Sequence, residues 1–97
     1  MTGIELIVKE RQEQIEKHGF CTIYDVNSNS YGGLLKGALF VLTERMDDYP
    51  PEWNTFFLEK LGAKRGRMTA WEYQIERLKI AGALLAAEID RLQNIKD

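Results

Sequence analysis

Cysteine, proline and long apolar runs are nearly absent from this sequence. Cys21 is the only cysteine, so no internal disulfide can form and a cytoplasmic protein is the expected class. Pro50 and Pro51 are the only prolines, so both halves of the chain are free of the residue that interrupts helices. No apolar run approaches the roughly 20 residues that a bilayer span needs, and we expect no signal peptide, since no basic segment precedes an apolar core.

The excess of charge is small as well. The chain has 13 basic and 15 acidic residues and a net charge of −2, so its composition predicts no general attraction to nucleic acid or to an anionic membrane. A length of 97 residues suits one domain with one modest core. No repeat or linker divides the chain, and we therefore predict a single domain over residues 1–97.

The stretch from Thr69 to Ile95 predicts a long helix around which the rest of the chain is organised. Thr69 and Glu72 form a capping box at its start. Residues 80–87 are apolar or small on every side, which is typical of a helix buried all round. The predicted buried stripe alternates steps of four and three residues: Trp71, Ile75, Leu78, Gly82, Leu85, Ile89 and Leu92.

The middle of this helix indicates close packing against another backbone. Gly82 costs roughly 1 kcal/mol relative to alanine in a helix, which suggests that a neighbour needs the space of the missing side chain. That neighbour is either the first or second helix of the same chain, or the same helix of a second subunit. Because a helix of this length, about 40 Å, exceeds the roughly 26 Å diameter of a globule of about 100 residues, we expect a homo-oligomer.

Three further helices complete an all-α bundle of three to four helices. The first is predicted over Gly3–His18, with a Thr2–Glu5 capping box. The second is predicted to begin near Ser30–Gly32 and to end near Asp47, and the third to run from Glu52 to Leu61, where Gly62 ends it. Residues 20–33 are expected to form a loop. The first helix should bury the stripe Ile4, Ile7, Val8, Arg11 and Ile15.

The sharpest functional signal is the basic segment directly before the long helix. Lys64, Arg65 and Arg67 would add charge to a helix N-terminus, which already attracts anions. This pattern predicts a phosphate-binding site, with Trp71 or Trp53 stacking on a nucleotide-like ligand. The alternatives are a solvated basic loop, or a contact with an acidic protein or a nucleic acid. The carboxylate of Glu72 counts against an anion there, because it would occupy the same N–H groups.

Arg11 is the second candidate, because it places a guanidinium on an otherwise apolar helix face. It is interpreted as a structural ion pair, with Glu88 as the suggested partner, as a further phosphate ligand, or as a side chain that reaches solvent along its stem.

Metal and nucleophile chemistry find little support in the sequence. Asp25, Asn27 and Asn29 match the start of a calcium-binding loop, but Ser30 and Lys36 occupy the positions where such a loop needs glycine and glutamate. The only histidine and the only cysteine, at positions 18 and 21, are interpreted as a helix-capping side chain and a half-buried thiol. The sequence therefore predicts neither a metal nor a cofactor.

Several residues give the chain a resemblance to a group of small bacteriophage and prophage proteins. They are Glu10-Arg11, Gln14-Ile15, Gly19-Phe20, Asp25, Pro51 with Trp53, and the string AGALLAAEIDRL from Ala81 to Leu92. The resemblance implies a phage or prophage accessory protein in a bacterial cytoplasm, without a defined activity. Proteins of this kind often resemble modulators of host defence, which implies a non-enzymatic protein that binds a host protein or sequesters a phosphorylated nucleotide-like molecule.

A further likeness is to the all-α NTP pyrophosphohydrolases of the MazG type. Those enzymes hold magnesium with an E-x-x-E motif followed by E-x-x-D. Glu10 and Glu13 reproduce the first spacing, whereas Glu88 and Asp90 are two residues apart instead of three, so their side chains diverge on a helix. The likeness implies, as an alternative, a magnesium-dependent nucleotide pyrophosphohydrolase that uses these four carboxylates.

Overall fold

A computed structural model describes residues 1–18, 33–50, 53 and 55–93 of the chain. These residues form an all-α bundle without strands. The elements are α1 (Gly3–His18), α2 (Gly33–Thr43), a short 3-10 turn (Met46–Asp48), α3 (Phe56–Arg67) and α4 (Ala70–Gln93). The predicted fold class is thereby confirmed.

Helix α1 has the predicted bounds because its capping box forms. The N–H of Thr2 donates to the carboxylate of Glu5 at 2.9 Å, and the N–H of Glu5 donates to the Thr2 hydroxyl at 3.2 Å. The predicted buried stripe of α1 is confirmed only in part. Arg11 is buried and Ile7 packs on Gly82 of α4, whereas Ile4, Val8 and Ile15 are exposed. Glu10 and Gln14, outside the predicted stripe, are buried beside Arg11, so polar side chains form much of the contact.

Helix α2 ends at Thr43, earlier than the predicted Asp47. Glu44 adopts a left-handed backbone with φ of 58°, and its N–H donates to the carbonyl of Phe40 at 2.7 Å. This single bond is a common way for a helix to end, although the residue is usually glycine. The apolar pattern of the sequence continues through Met46, so it gave no indication of this stop.

Of the predicted helix bounds, those of α3 differ most from the structure. It was expected over Glu52–Leu61 and ended by Gly62, yet it begins at Phe56 and continues through Gly62 and Gly66 to Arg67. Burial of Leu61 anchors its middle, and the cations in its last turn are favourable there because they face the negative end of the helix dipole. Pro51 and Glu52, the proposed start, lie outside the described residues.

Helix α4 is unbroken through Gly82, as predicted. Its capping box forms, with Thr69 N–H to Glu72 at 3.0 Å and Glu72 N–H to the Thr69 hydroxyl at 3.1 Å. A Cβ on Gly82 would lie 2.7 Å from Cδ1 of Ile7, so the close neighbour is α1, one of the alternatives given by the sequence. The proposed helix residues 94 and 95 lie beyond the described range.

The face that α4 buries is the opposite of the predicted one. The side chains that lie against the rest of the bundle include Tyr73, Ile80, Leu84 and Ala87, whereas Leu78 is 59% and Ile89 56% exposed. Ala83 and Ala87 are fully buried on this side, and α2 and α1 are the helices that pack most extensively against α4, while leucine and isoleucine line the outside. The apolar stripe read from the sequence is therefore a surface.

The core lies between α2 and α4 and is closed on one side by aromatic rings. Leu34 and Leu84 are fully buried at its centre. Phe40, Tyr49, Trp53 and Phe57 form a chain of edge-to-face contacts with centroid distances of 5.0, 6.3 and 5.1 Å. Among the helices described, none combines the length and the apolar character needed to cross a bilayer.

Candidate functional site

The three cations of the basic segment lie in the last turn of α3, and two of them are already paired. Lys64 Nζ lies 2.6 Å from a carboxylate oxygen of Glu76 on α4. Arg65 lies 3.6 Å from the carboxylate of Glu44. Arg67 is exposed. Because Glu76 and Glu44 offset the charges of the first two cations, the segment presents much less positive potential than its sequence indicates.

The other proposed ligands of a phosphate compound are separated from this segment. Arg11 Nη2 lies 3.5 Å from Asp90, far along α4, which makes it an ion pair as the sequence suggested. The suggested partner was wrong, however, since Glu88 accepts from Arg91 at 2.5 Å and 3.2 Å.

The two tryptophans differ sharply in their surroundings. The Trp53 ring packs against Gly37, where a Cβ would lie 2.4 Å from its Cη2 atom, and its edge-to-face neighbours fix it in the core. Trp71 is 78% exposed in the first turn of α4. Of the predicted site residues, Trp71, Arg67 and Arg65 are accessible near the junction of α3 and α4, and Arg65, with 67% of its side chain exposed, is paired with Glu44. The N-terminus of α4 is occupied by the carboxylate of Glu72, as its sequence implied.

The four carboxylates of the magnesium alternative do not converge. Glu10 is close enough to Glu76 and to Glu13 for their charges to affect it, whereas Asp90 contacts Arg11 and Glu88 contacts Arg91. Within the described ranges, no group of three or more acidic, histidine or cysteine side chains is placed to hold a metal ion. The geometry of this part of the chain therefore gives the hydrolase alternative no support.

Two buried carboxylates at the contact between α1 and α4, Glu10 and Glu76, have pKa values that move in opposite directions. Burial raises the pKa of Glu10, with repulsion from Glu76 adding to it and attraction to Lys64 and Lys79 opposing it. Burial also opposes ionisation of Glu76, but its hydrogen bonds to Lys64 and Lys79 outweigh that effect and hold its pKa below the usual value. The pair is structural: Glu76 joins α3 to α4, and Glu10 lies beside it.

We expect these carboxylates to give stability opposite pH dependences. Glu10 has a raised pKa in the folded state, so its contribution is present at low pH and is lost as the pH rises above about 4.5, the ordinary glutamate value. Glu76 has a lowered pKa, so its contribution is present above that value and is lost as the pH falls through its folded-state pKa. Thermal unfolding between pH 3 and pH 8 of Glu10→Gln and Glu76→Gln measures both.

Glu10→Gln should be more stable than the parent at neutral pH, and the advantage should shrink as the pH falls. Glu76→Gln should be less stable by about 2 kcal/mol at neutral pH, because it leaves two partly buried lysines with weakened partners. The difference in stability between Glu76→Gln and the parent should become smaller at acidic pH. Matching pH profiles for the two variants would contradict the assignment.

A second charged cluster, not predicted from the sequence, caps α2. Arg77 of α4 donates from Nε to the carbonyl of Val41 at 2.9 Å and from Nη2 to that of Leu42. A carboxylate oxygen of Glu44 lies 4.0 Å from Arg77 Nε. The pKa of Tyr73 is raised by burial first, then by the charge of Glu44 and by the hydrogen bond between Glu44 and the Tyr73 hydroxyl. Terminal helix carbonyls need such donors, and no local sequence signal reveals a donor that arrives from another helix.

The exposed apolar residues of α2 and α4 share one side of the bundle. On α4, Leu85 lies about 180° around the helix from Glu76, which contacts α3. On α2, Leu39 lies about 200° from Gly37, which contacts Trp53. Since Arg77, near the start of α4, binds the end of α2, the two helices are antiparallel and their outer stripes run side by side. We call this surface the leucine face: Leu35, Leu39, Leu42, Leu78, Leu85 and Leu92.

The leucine face is partly open to solvent in the part of the chain that the structure describes. Its leucines are 45%, 42% and 41% exposed on α2 and 59%, 41% and 54% exposed on α4, in chain order. Exposed Lys36, three residues before Leu39, borders it on α2, and Ile7 of α1 packs on Gly82, between Leu78 and Leu85.

Comparison of the chain with known protein families, curated proteins and solved structures finds no match.

Proposed function

We propose that this chain is a non-enzymatic accessory protein that acts by binding another protein. The observation that carries the proposal is Trp71, a large aromatic side chain that is 78% exposed at the junction of α3 and α4. Exposed Arg67 stands on the other side of the same junction. Tryptophan and arginine are the side chains most enriched among residues that dominate protein–protein binding energy.

A protein partner is favoured over a phosphorylated small molecule at this corner. A phosphate ligand would need free cations and free N–H groups, whereas Lys64 and Arg65 have carboxylate partners and Glu72 caps α4. A partner protein requires only an apolar pocket for the indole and an acidic group for Arg67. The resemblance to small phage and prophage proteins supports a bacterial host protein as the partner, with modulation of host defence in the cytoplasm as the role.

The proposal is tested by recovery of a partner from the bacterial host. We expect the tagged chain to retain a specific host protein, and Trp71→Ala to reduce its recovery at least 10-fold, because loss of a dominant contact costs roughly 2 kcal/mol or more. Arg67→Ala should reduce it less. Ile4→Ala is the matched control, since Ile4 is 77% exposed on a different helix, and it should retain the partner at the level of the parent chain.

Three results would contradict the proposal. One is equal recovery by the parent and Trp71→Ala. Another is a thermal shift with nucleotides that Arg67→Ala abolishes, which would favour the small-molecule function. The third is release of pyrophosphate from nucleoside triphosphates with magnesium that disappears in Glu13→Ala, which would establish the enzyme.

A further inference from the structure

The leucine face matches the largest apolar patches that monomers of ordinary proteins expose. Its six leucines expose on the order of 500 Å², within the roughly 300–600 Å² of the largest patch on a typical monomer. Ile89, 56% exposed on the same stripe of α4, extends it to roughly 600 Å², the lower end of what each partner buries in a standard-size interface.

The chemistry of the face selects a second copy of the same chain as its occupant. Because leucines dominate the face, its best complement is another surface of branched apolar side chains. The face also consists of two antiparallel helices lying side by side. Two such layers packed on each other form a four-helix arrangement in which every leucine can be buried between helices, and a twofold axis makes the contact the same from both sides.

We propose that the leucine face is the interface of a symmetric dimer, in which the α2–α4 pair of one protomer packs on the α2–α4 pair of its partner. Trp71 lies two turns before Leu78 on the same stripe of α4, outside the six positions that define the leucine face. The dimer is tested at Leu39 and Leu85 and the partner-binding function at Trp71, so failure of one is distinguishable from failure of the other.

Native mass spectrometry and sedimentation of the full chain at 10–100 µM test this proposal. The parent chain should have twice the 11.2 kDa mass of the monomer. The single variants Leu39→Glu and Leu85→Glu should each raise the dimer dissociation constant at least 100-fold while the far-UV circular dichroism stays helical. Ile4→Glu, the same kind of change at an exposed isoleucine of α1, should remain dimeric.

A charge-pairing experiment separates loss of contact from loss of folding. The double variants Leu39→Glu/Leu85→Glu and Leu39→Lys/Leu85→Lys should each be monomeric, and an equimolar mixture should form heterodimers, because the acidic and basic faces then attract. A monomeric parent chain overturns the proposal, as does a dimer that Ile4→Glu dissociates and the leucine variants do not. A mixture that stays monomeric, or leucine variants that unfold in place of dissociating, overturns it as well, since the face would then be covered by the chain's own residues.

Discussion

Gly37→Ala should destabilise the protein by about 2–3 kcal/mol, although alanine is the better helix former. A Cβ at this position would lie 2.4, 2.8 and 3.1 Å from three atoms of the Trp53 ring. Tyr49 and Phe57 pack edge-to-face against the ring, so a shift of the ring away from α2 would disturb both contacts. Urea unfolding followed by circular dichroism gives the free energy of unfolding directly.

The chain contains a matched control for this substitution. Gly62 is also inside a helix, but nothing lies within 4 Å of the Cβ it would gain. Gly62→Ala should therefore stabilise the protein by about 0.5–1 kcal/mol through helix propensity alone. If both variants were equally stable, Trp53 would not be packed on α2, and the aromatic side of the core would be arranged differently.

Arg77→Met should destabilise the protein by about 2 kcal/mol, because it removes charged donors from the partly buried C-terminal end of α2. The methionine keeps much of the apolar stem but leaves the carbonyls of Val41 and Leu42 without the donors that Arg77 supplies. It also removes a cation near the carboxylate of Glu44, a residue whose backbone is left-handed. Thermal and urea unfolding measure the loss.

Arg77→Lys and Arg67→Met serve as the controls for this prediction. A lysine keeps the charge but lacks the planar guanidinium that donates to both carbonyls at once. We therefore expect Arg77→Lys to lose about half as much stability as Arg77→Met. Arg67 is an exposed arginine on α3, and its replacement should change stability by about 0.5 kcal/mol or less. If Arg77→Lys matched the parent, charge rather than the two hydrogen bonds would account for the role of Arg77.

Elements whose ends are set by local chemistry were predictable from the sequence. The two capping boxes pair a threonine with a glutamate three residues later, and both helices that they open begin where expected. The ends set by distant residues were not predictable. Glu44 stops α2 in a conformation held from α3 and α4, and α3 passes through Gly62 because Leu61 and Lys64 attach it to the rest of the bundle.

The buried face of α4 shows the limit of reading hydrophobic periodicity. Residues of the helix are apolar on two opposite sides in its middle, so spacing alone cannot tell which side meets the core. The bundle buries the side with the small residues Ala83 and Ala87, because they allow the helices to approach closely. The larger residues that formed the stronger pattern were left outside.

The candidate phosphate site failed to assemble for a related reason. Three cations in four residues are visible in the sequence, but the carboxylates that pair with them come from other helices. Glu44 lies at the end of α2 and Glu76 lies on α4, so both belong to other elements than the basic segment. Nothing near them in the sequence marks them as its partners. The side chains that remain accessible near the junction are Trp71, Arg67 and Arg65, and Arg65 is paired with Glu44, which suits a protein surface better than a phosphate group.

Carbene footprinting of the unmodified chain at several concentrations tests both proposed surfaces in one measurement. We expect the peptides carrying Leu39 and Leu85 to be protected at 100 µM and to become labelled on dilution, as the dimer dissociates. Trp71 should be labelled throughout, and should become protected only when the host partner is added. Labelling of the two leucines that is high and independent of concentration would contradict the dimer, and a Trp71 that stays labelled in the complex would contradict the binding function.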